Sequence, residues 1–79
     1  MTAAIRWYER KRAGLGGEFY DAIVHAIDLI REHPAVGLAF ELPAKYRQFL
    51  VKRFPFKVVY RERADDIYVV AVAHTSRRP

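Results

Sequence analysis

The chain has no cysteine among its 79 residues, so neither a disulfide framework nor a thiolate metal site can staple it. That fits a reducing cytoplasm, where the chain is expected to reside. Its longest apolar runs fall far short of the ~20 residues that span a bilayer, and no membrane contact is expected. The N-terminus lacks the basic flank and apolar core of a secretory signal. There is no GxGxxG or Walker spacing, no GxSxG and no cysteine nucleophile. His25 and His33 stand two helical turns apart, too far for one metal, and no carboxylate triad completes a site with His74. No metal and no cofactor are therefore expected. Internal repeats, linkers and low-complexity segments are also missing. A chain this short forms one domain over residues 1–79, and it buries only about 60% of its unfolded surface, so partner binding bears on its stability.

A composition 52% hydrophobic and 14% aromatic is that of a globular chain and not of a disordered one. The net charge of +5 is unevenly placed. Residues 1–43 carry five Lys/Arg against six Asp/Glu, and residues 44–79 carry nine against three. Such asymmetry is the electrostatic footprint of a nucleic-acid or acidic-protein binder. A solvated basic surface that aids solubility is the plainer reading of the same residues.

Residues 3–12 read as a short helix, with Ala3, Ala4, Trp7 and Tyr8 on one side and Arg6, Arg10 and Lys11 on the other. Gly14-Leu-Gly-Gly17 breaks it and forms a turn, since glycine supplies the left-handed conformation that ends a helix. A second helix spans 18–33, with Phe19, Ala22, Ile23, Ala26, Ile27 and Ile30 as its apolar stripe. Pro34 ends it. Residues 34–44 alternate Val36, Leu38, Phe40 and Leu42 and are expected to lie extended along the core. Strands are predicted at 46–54, 56–63 and 67–74, with Pro55 at a turn and Ala64-Asp-Asp66 as a hairpin. Short connections make them antiparallel. Phe56, Val58 and Tyr60 should face the helices, and Lys57, Val59 and Arg61 the open side. Residues 67–73 are apolar on both faces, which predicts a strand interior to the sheet.

The order of these parts resembles one family. A helix ending in Trp7-Tyr8-Glu9 leads to the Gly14-Leu-Gly16 turn and a long second helix. Then come Leu50-Val-Lys-Arg-Phe-Pro-Phe-Lys-Val-Val-Tyr60, Val70-Ala-Val-Ala-His74 and Arg77-Arg-Pro79. The combination is similar to the RelE/ParE toxins of bacterial type II toxin–antitoxin systems, over nearly the whole chain. The resemblance implies an α+β fold, an N-terminal antiparallel helix hairpin packed on a three-stranded antiparallel sheet. Family members usually begin with a strand that precedes the first helix, whereas this chain starts inside that helix. An exposed sheet edge is therefore expected, and with it a homodimer.

The resemblance also implies a cognate antitoxin as partner, its tail wrapping the toxin with acidic residues on the basic face. On a ParE-like reading the chain acts by docking to a target such as DNA gyrase. Arg47, Lys52, Arg53, Arg61, Tyr68, Arg77 and Arg78 are then the candidate partner-binding residues, with Trp7, Tyr8 and Tyr68 as aromatic anchors. On a RelE-like reading it is a metal-independent, ribosome-dependent mRNA endonuclease. Lys52 or Lys57 would be cation or base, Arg61 and Arg77 would clamp phosphate, and His74 would transfer a proton. The ribonuclease members carry further catalytic residues beyond the position of Pro79, which turns the reading toward ParE. A shortened, inactive toxin remnant is the third reading.

Overall fold

The computed structural model describes residues 2–40 and 45–76. Helix α1 (Thr2–Lys11) and helix α2 (Leu15–Glu32) form the expected hairpin. A 3₁₀ turn at Pro34–Val36 leads to strands β1 (Leu38–Ala39), β2 (Tyr46–Leu50), β3 (Phe56–Glu62) and β4 (Ile67–His74). All neighbours pair antiparallel, in the spatial order β1-β2-β3-β4.

The core is where α2 meets β3. Phe19, Ile23, Ala26 and Ile30 recur at helical spacing and are buried, as are Val58 and Tyr60 of β3. Val51 and Phe54 fill in from the β2–β3 connection. Helix α1 buries no residue fully, and Ala4, Ile5 and Tyr8 only lean against the cluster. Phe19 is the centre of an aromatic knot, with ring centroids 4.9 Å from Tyr8, 5.1 Å from Phe54 and 4.8 Å from Phe56. Such edge-on pairs add to the burial of apolar area.

Four expectations need correction. The glycine turn is shorter than residues 14–17, because α2 already begins at Leu15. Gly14 takes the left-handed conformation (φ 90°) as the residue that caps the start of α2, while Gly16 is helical and buried against α1. A Cβ there would sit 2.7 Å from the Ile5 carbonyl oxygen, so Gly16 lets the two helices approach. Glu9 holds the junction, accepting hydrogen bonds from the N–H groups of Gly14 and Gly16 at 2.9 Å each. A carboxylate thereby meets the free amides at the start of α2.

The first predicted strand ends at Leu50 and not at residue 54. Val51 N–H donates to the Phe56 carbonyl, Arg53 adopts φ 73°, and the reversal drops Phe54 into the core. The segment after Pro34 adds a fourth, two-residue strand and does not line the core, since Leu38 is 72% exposed. Leu42 and its neighbours at 41–44 lie outside the described residues. Finally, among the described residues β4 is an edge strand, not an interior one. Its apolar residues on both faces do not mean cover on both faces, for Tyr68 and Val70 are exposed.

Tyr60 ties the 3₁₀ turn to the sheet. Its buried hydroxyl donates to the Pro34 carbonyl at 2.6 Å and accepts from Gly37 N–H at 2.9 Å. Tyr60→Phe keeps the ring and orphans both backbone groups. The expected loss is about 1–3 kcal/mol, read as a lower urea midpoint at unchanged slope. A midpoint equal to wild type would show that the two bonds contribute nothing net.

Candidate functional site

Strand pairing sorts the sheet into two faces, because directly paired residues share a side. On the helix side run Ala39–Arg47–Tyr60–Val69, then Phe49–Val58–Val72, then Phe56–His74. On the open side run Tyr46–Arg61–Tyr68, then Leu38–Gln48–Val59–Ala71, then Leu50–Lys57–Ala73. Lys57, Val59 and Arg61 thus face outward as expected.

One end of the open face alternates cations with tyrosines. Lys45 Nζ stands 5.6 Å from the Tyr46 ring centre. The guanidinium carbons of Arg61 and Arg63 stand 5.3 Å and 4.6 Å from the ring of Tyr68. Among the described residues no carboxylate lies within ion-pair distance of Lys45, Lys57, Arg61 or Arg63. The cations are therefore available to a partner's anions, while the ring faces orient them. Leu38 lies in the next row along, with Gln48 and Val59, and the 65%-exposed Leu50 shares the row of Lys57 at the other end of the face. Lys45 and Arg63 were not singled out from sequence. Arg63 continues the odd-numbered series of Lys57 and Arg61, a signal that was legible. Lys45 follows residues 41–44 and carried none.

The other predicted site residues lie elsewhere. Arg47 is on the helix side, where its Nη1 donates to the Gly37 carbonyl at 2.9 Å and to that of Ala35 at 3.4 Å. It pins the 3₁₀ turn. Arg53 sits in the β2–β3 connection and donates to Glu18 of α2 at 2.8 Å. Lys52 precedes it, exposed, at a narrow cleft of about 90 Å³ shared with Ala22, Ala26 and Leu29 of α2. His74 is on the helix side beside Phe56, ring centres 5.2 Å apart. Its Nδ1 accepts from Ser76 N–H at 3.1 Å and stands 2.8 Å from Ser76 Oγ. Arg77 and Arg78 lie outside the described residues. Of the proposed anchors, Tyr8 is packed into the aromatic knot, whereas Trp7 and Tyr68 are exposed.

The described members of the ribonuclease set, Lys52, Lys57, Arg61 and His74, are therefore not brought together. The sheet separates His74 from Lys57 and Arg61, and Lys52 lies by α2. Lys57 and Arg61 themselves are four strand residues apart, roughly 13 Å at strand rise.

Glu18 joins Arg53 and Arg12, at 2.8 Å and 3.1 Å, and ties the β2–β3 connection to the start of α2. The hydrogen bond from Arg53, then that from Arg12, lowers its pKa below the ordinary 4.5. A lowered folded value means that this tie stabilises at neutral pH and fades as pH falls through the carboxylate range. Glu18→Gln is expected to reduce stability slightly at about pH 7 and not at about pH 3, as urea titration at both values checks. An equal deficit at both would remove the charge from the explanation.

Comparison with known proteins adds one finding. No curated protein and no solved structure matches the chain. The model of the family described as the ParE toxin of type II toxin–antitoxin system, parDE, matches residues 2–79. That span includes the helix hairpin, the whole sheet and the open basic face. The chain belongs to the ParE toxin family of type II toxin–antitoxin systems.

Proposed function

We propose that this toxin acts by docking, through the open face of its sheet, to a protein target in the cytoplasm such as DNA gyrase. Toxin function and a cognate antitoxin come with the family. The observation that carries the docking reading is the row Tyr46–Arg61–Tyr68 with Lys45 and Arg63 beside it. Cations without described carboxylate partners, held against the rings of Tyr46 and Tyr68 and with Leu38 in the next row, suit a desolvated protein contact. They do not converge with His74 on one reacting atom, as proton transfer and phosphate clamping would need.

The antitoxin is proposed to occupy the same face in the neutralised complex. Its acidic residues would meet Lys57, Arg61 and Arg63. Its apolar residues would follow Leu50 and Phe49 around the end of β2 to Ala22 and Leu29 of α2, beside Lys52. A tail that orders as it binds suits such a wrapped path. Contact between two copies through a sheet edge belongs to the same reading.

Induction of the chain with and without its antitoxin tests this. Growth should stop without the antitoxin, with double-strand DNA breaks and an SOS response. Rapid fragmentation of translated messages would replace docking with ribonuclease action. Normal growth despite soluble expression would mean an inactive remnant.

A further inference from the structure

We propose that the tyrosine–arginine end of the open face is a platform for single-stranded DNA, which stacks its bases on the rings and lays its phosphates over the cations. Tyr46, Arg61 and Tyr68 lie side by side on β2, β3 and β4. Two sheet spacings separate the outer pair, so the tyrosine backbones stand roughly 10 Å apart with Arg61 between them. Tyr68 is exposed and Tyr46 half-buried. Arg63 reaches over the Tyr68 ring at 4.6 Å, and Lys45 over that of Tyr46 at 5.6 Å.

One ligand class answers to the rings and the cations together. An acidic peptide uses the cations and leaves the ring faces idle. Duplex DNA offers its phosphates but keeps its base faces stacked inside. A single-stranded nucleic acid carries an anion and a flat π-face on every unit, and base–aromatic stacking accepts any sequence. Guanidinium planes extend such a surface, since bases stack on arginine as well as on rings. Charge agrees. Among the described residues no carboxylate pairs with Lys45, Arg61 or Arg63, and the half of the chain that supplies them carries nine Lys/Arg against three Asp/Glu. Telling a ribose 2′-hydroxyl from hydrogen takes a dedicated polar partner. The row consists of cations and rings, so deoxyribose suffices.

The platform rests on the docking reading of the open face and deepens it. The Tyr46–Arg61–Tyr68 row takes DNA that the target holds, while the Leu50–Lys57–Ala73 row at the other end of the face takes the protein. Arg61 and Arg63 are also cations that the antitoxin's acidic residues would meet. Antitoxin and DNA therefore exclude one another on this row, and antitoxin binding releases the DNA.

Fluorescence anisotropy of the full chain with a labelled oligothymidylate of about 12 nucleotides tests the platform. The expected Kd lies below about 100 µM, and log affinity should fall with log salt at a slope of about −2, as three cations imply. An abasic oligonucleotide of equal length and charge should bind about 10-fold more weakly. Tyr68→Ala should weaken oligothymidylate binding about 10-fold with an unchanged circular dichroism spectrum, and Tyr68→Phe should bind as wild type does. Excess antitoxin should return the anisotropy to that of free DNA. The proposal is overturned by a chain that ignores oligothymidylate, by abasic binding of equal strength, by a folded Tyr68→Ala variant of wild-type affinity, or by bound antitoxin that leaves the DNA in place. An oligoribouridylate that binds more than about 10-fold tighter than the matching oligodeoxyuridylate also overturns it, since the ligand is then RNA. Growth arrest without oligothymidylate binding keeps the docking reading and removes this one; binding without growth arrest does the reverse.

Discussion

Phe19→Ala is expected to leave this protein largely unfolded at 37 °C. Phe19 is fully buried and is in ring contact with Tyr8, Phe54 and Phe56, which come from α1, the β2–β3 connection and β3. Tyr8 reaches as many pieces, but it is only partly buried, whereas Phe19 is wholly enclosed. Truncating a buried phenylalanine costs about 3–5 kcal/mol, counting both lost transfer and the cavity left behind. A chain of this length has a total stability of roughly 4–12 kcal/mol, toward the low end for a small core. The substitution therefore removes about a quarter of the stability at least, and most of it if the chain is marginal. Urea titration should show the midpoint collapse, and thermal scans a folded baseline lost below body temperature. Antitoxin should partly rescue the variant, because a ligand that binds only the folded form stabilises it by mass action. A midpoint within experimental error of wild type would mean that the aromatic knot is not the centre of the core.

Arg61→Glu is expected to abolish growth arrest and to weaken antitoxin binding about 100-fold, without loss of fold. Arg61 sits mid-row on the open face and its described contact there is the ring of Tyr68, so reversing its charge breaks no described hydrogen bond. The new carboxylate would face a partner surface selected to meet cations. Like charges brought together across a desolvated contact cost several kcal/mol, far more than a lost rim salt bridge. Calorimetric titration against the antitoxin, with circular dichroism as the folding control, measures the effect. Full-strength arrest together with wild-type antitoxin affinity would place the docking surface elsewhere. Arg61→Ala separates the two contributions, since it removes the cation and adds no repulsion.

Much of this fold is legible one residue at a time. The stripe of Phe19, Ile23, Ala26 and Ile30 repeats at helical spacing and is buried as expected. β4 spans the predicted residues 67–74, and Pro55 falls in the reversal before β3. Lys57 and Arg61 were separated from Val58 and Tyr60 by alternation alone, and the pairing agrees. Where local pattern misled, the cause was a contact from far along the chain. Glu9 sets the start of α2 by reaching over the turn to Gly14 and Gly16. Arg47 looked like a member of the basic platform, but its register places it with Tyr60 on the helix side. Lys52 and Arg53 were counted in a strand that reverses before them.

The sequence by itself determined the order of the two helices and the three longer strands, the concentration of positive charge in the second half, and the resemblance to the toxin family. Periodicity and composition are local, and they report which side of each element avoids water. Only the tertiary structure decided which cations share a face, that His74 is on the far side of the sheet from Lys57 and Arg61, and that β4 is an edge among the described residues. Those facts depend on strand order and register. Both are set by pairing between distant segments. A single extra residue such as Val70, left over where Tyr60 pairs with Val69 and Val59 with Ala71, is enough to exchange the faces of all that follows it.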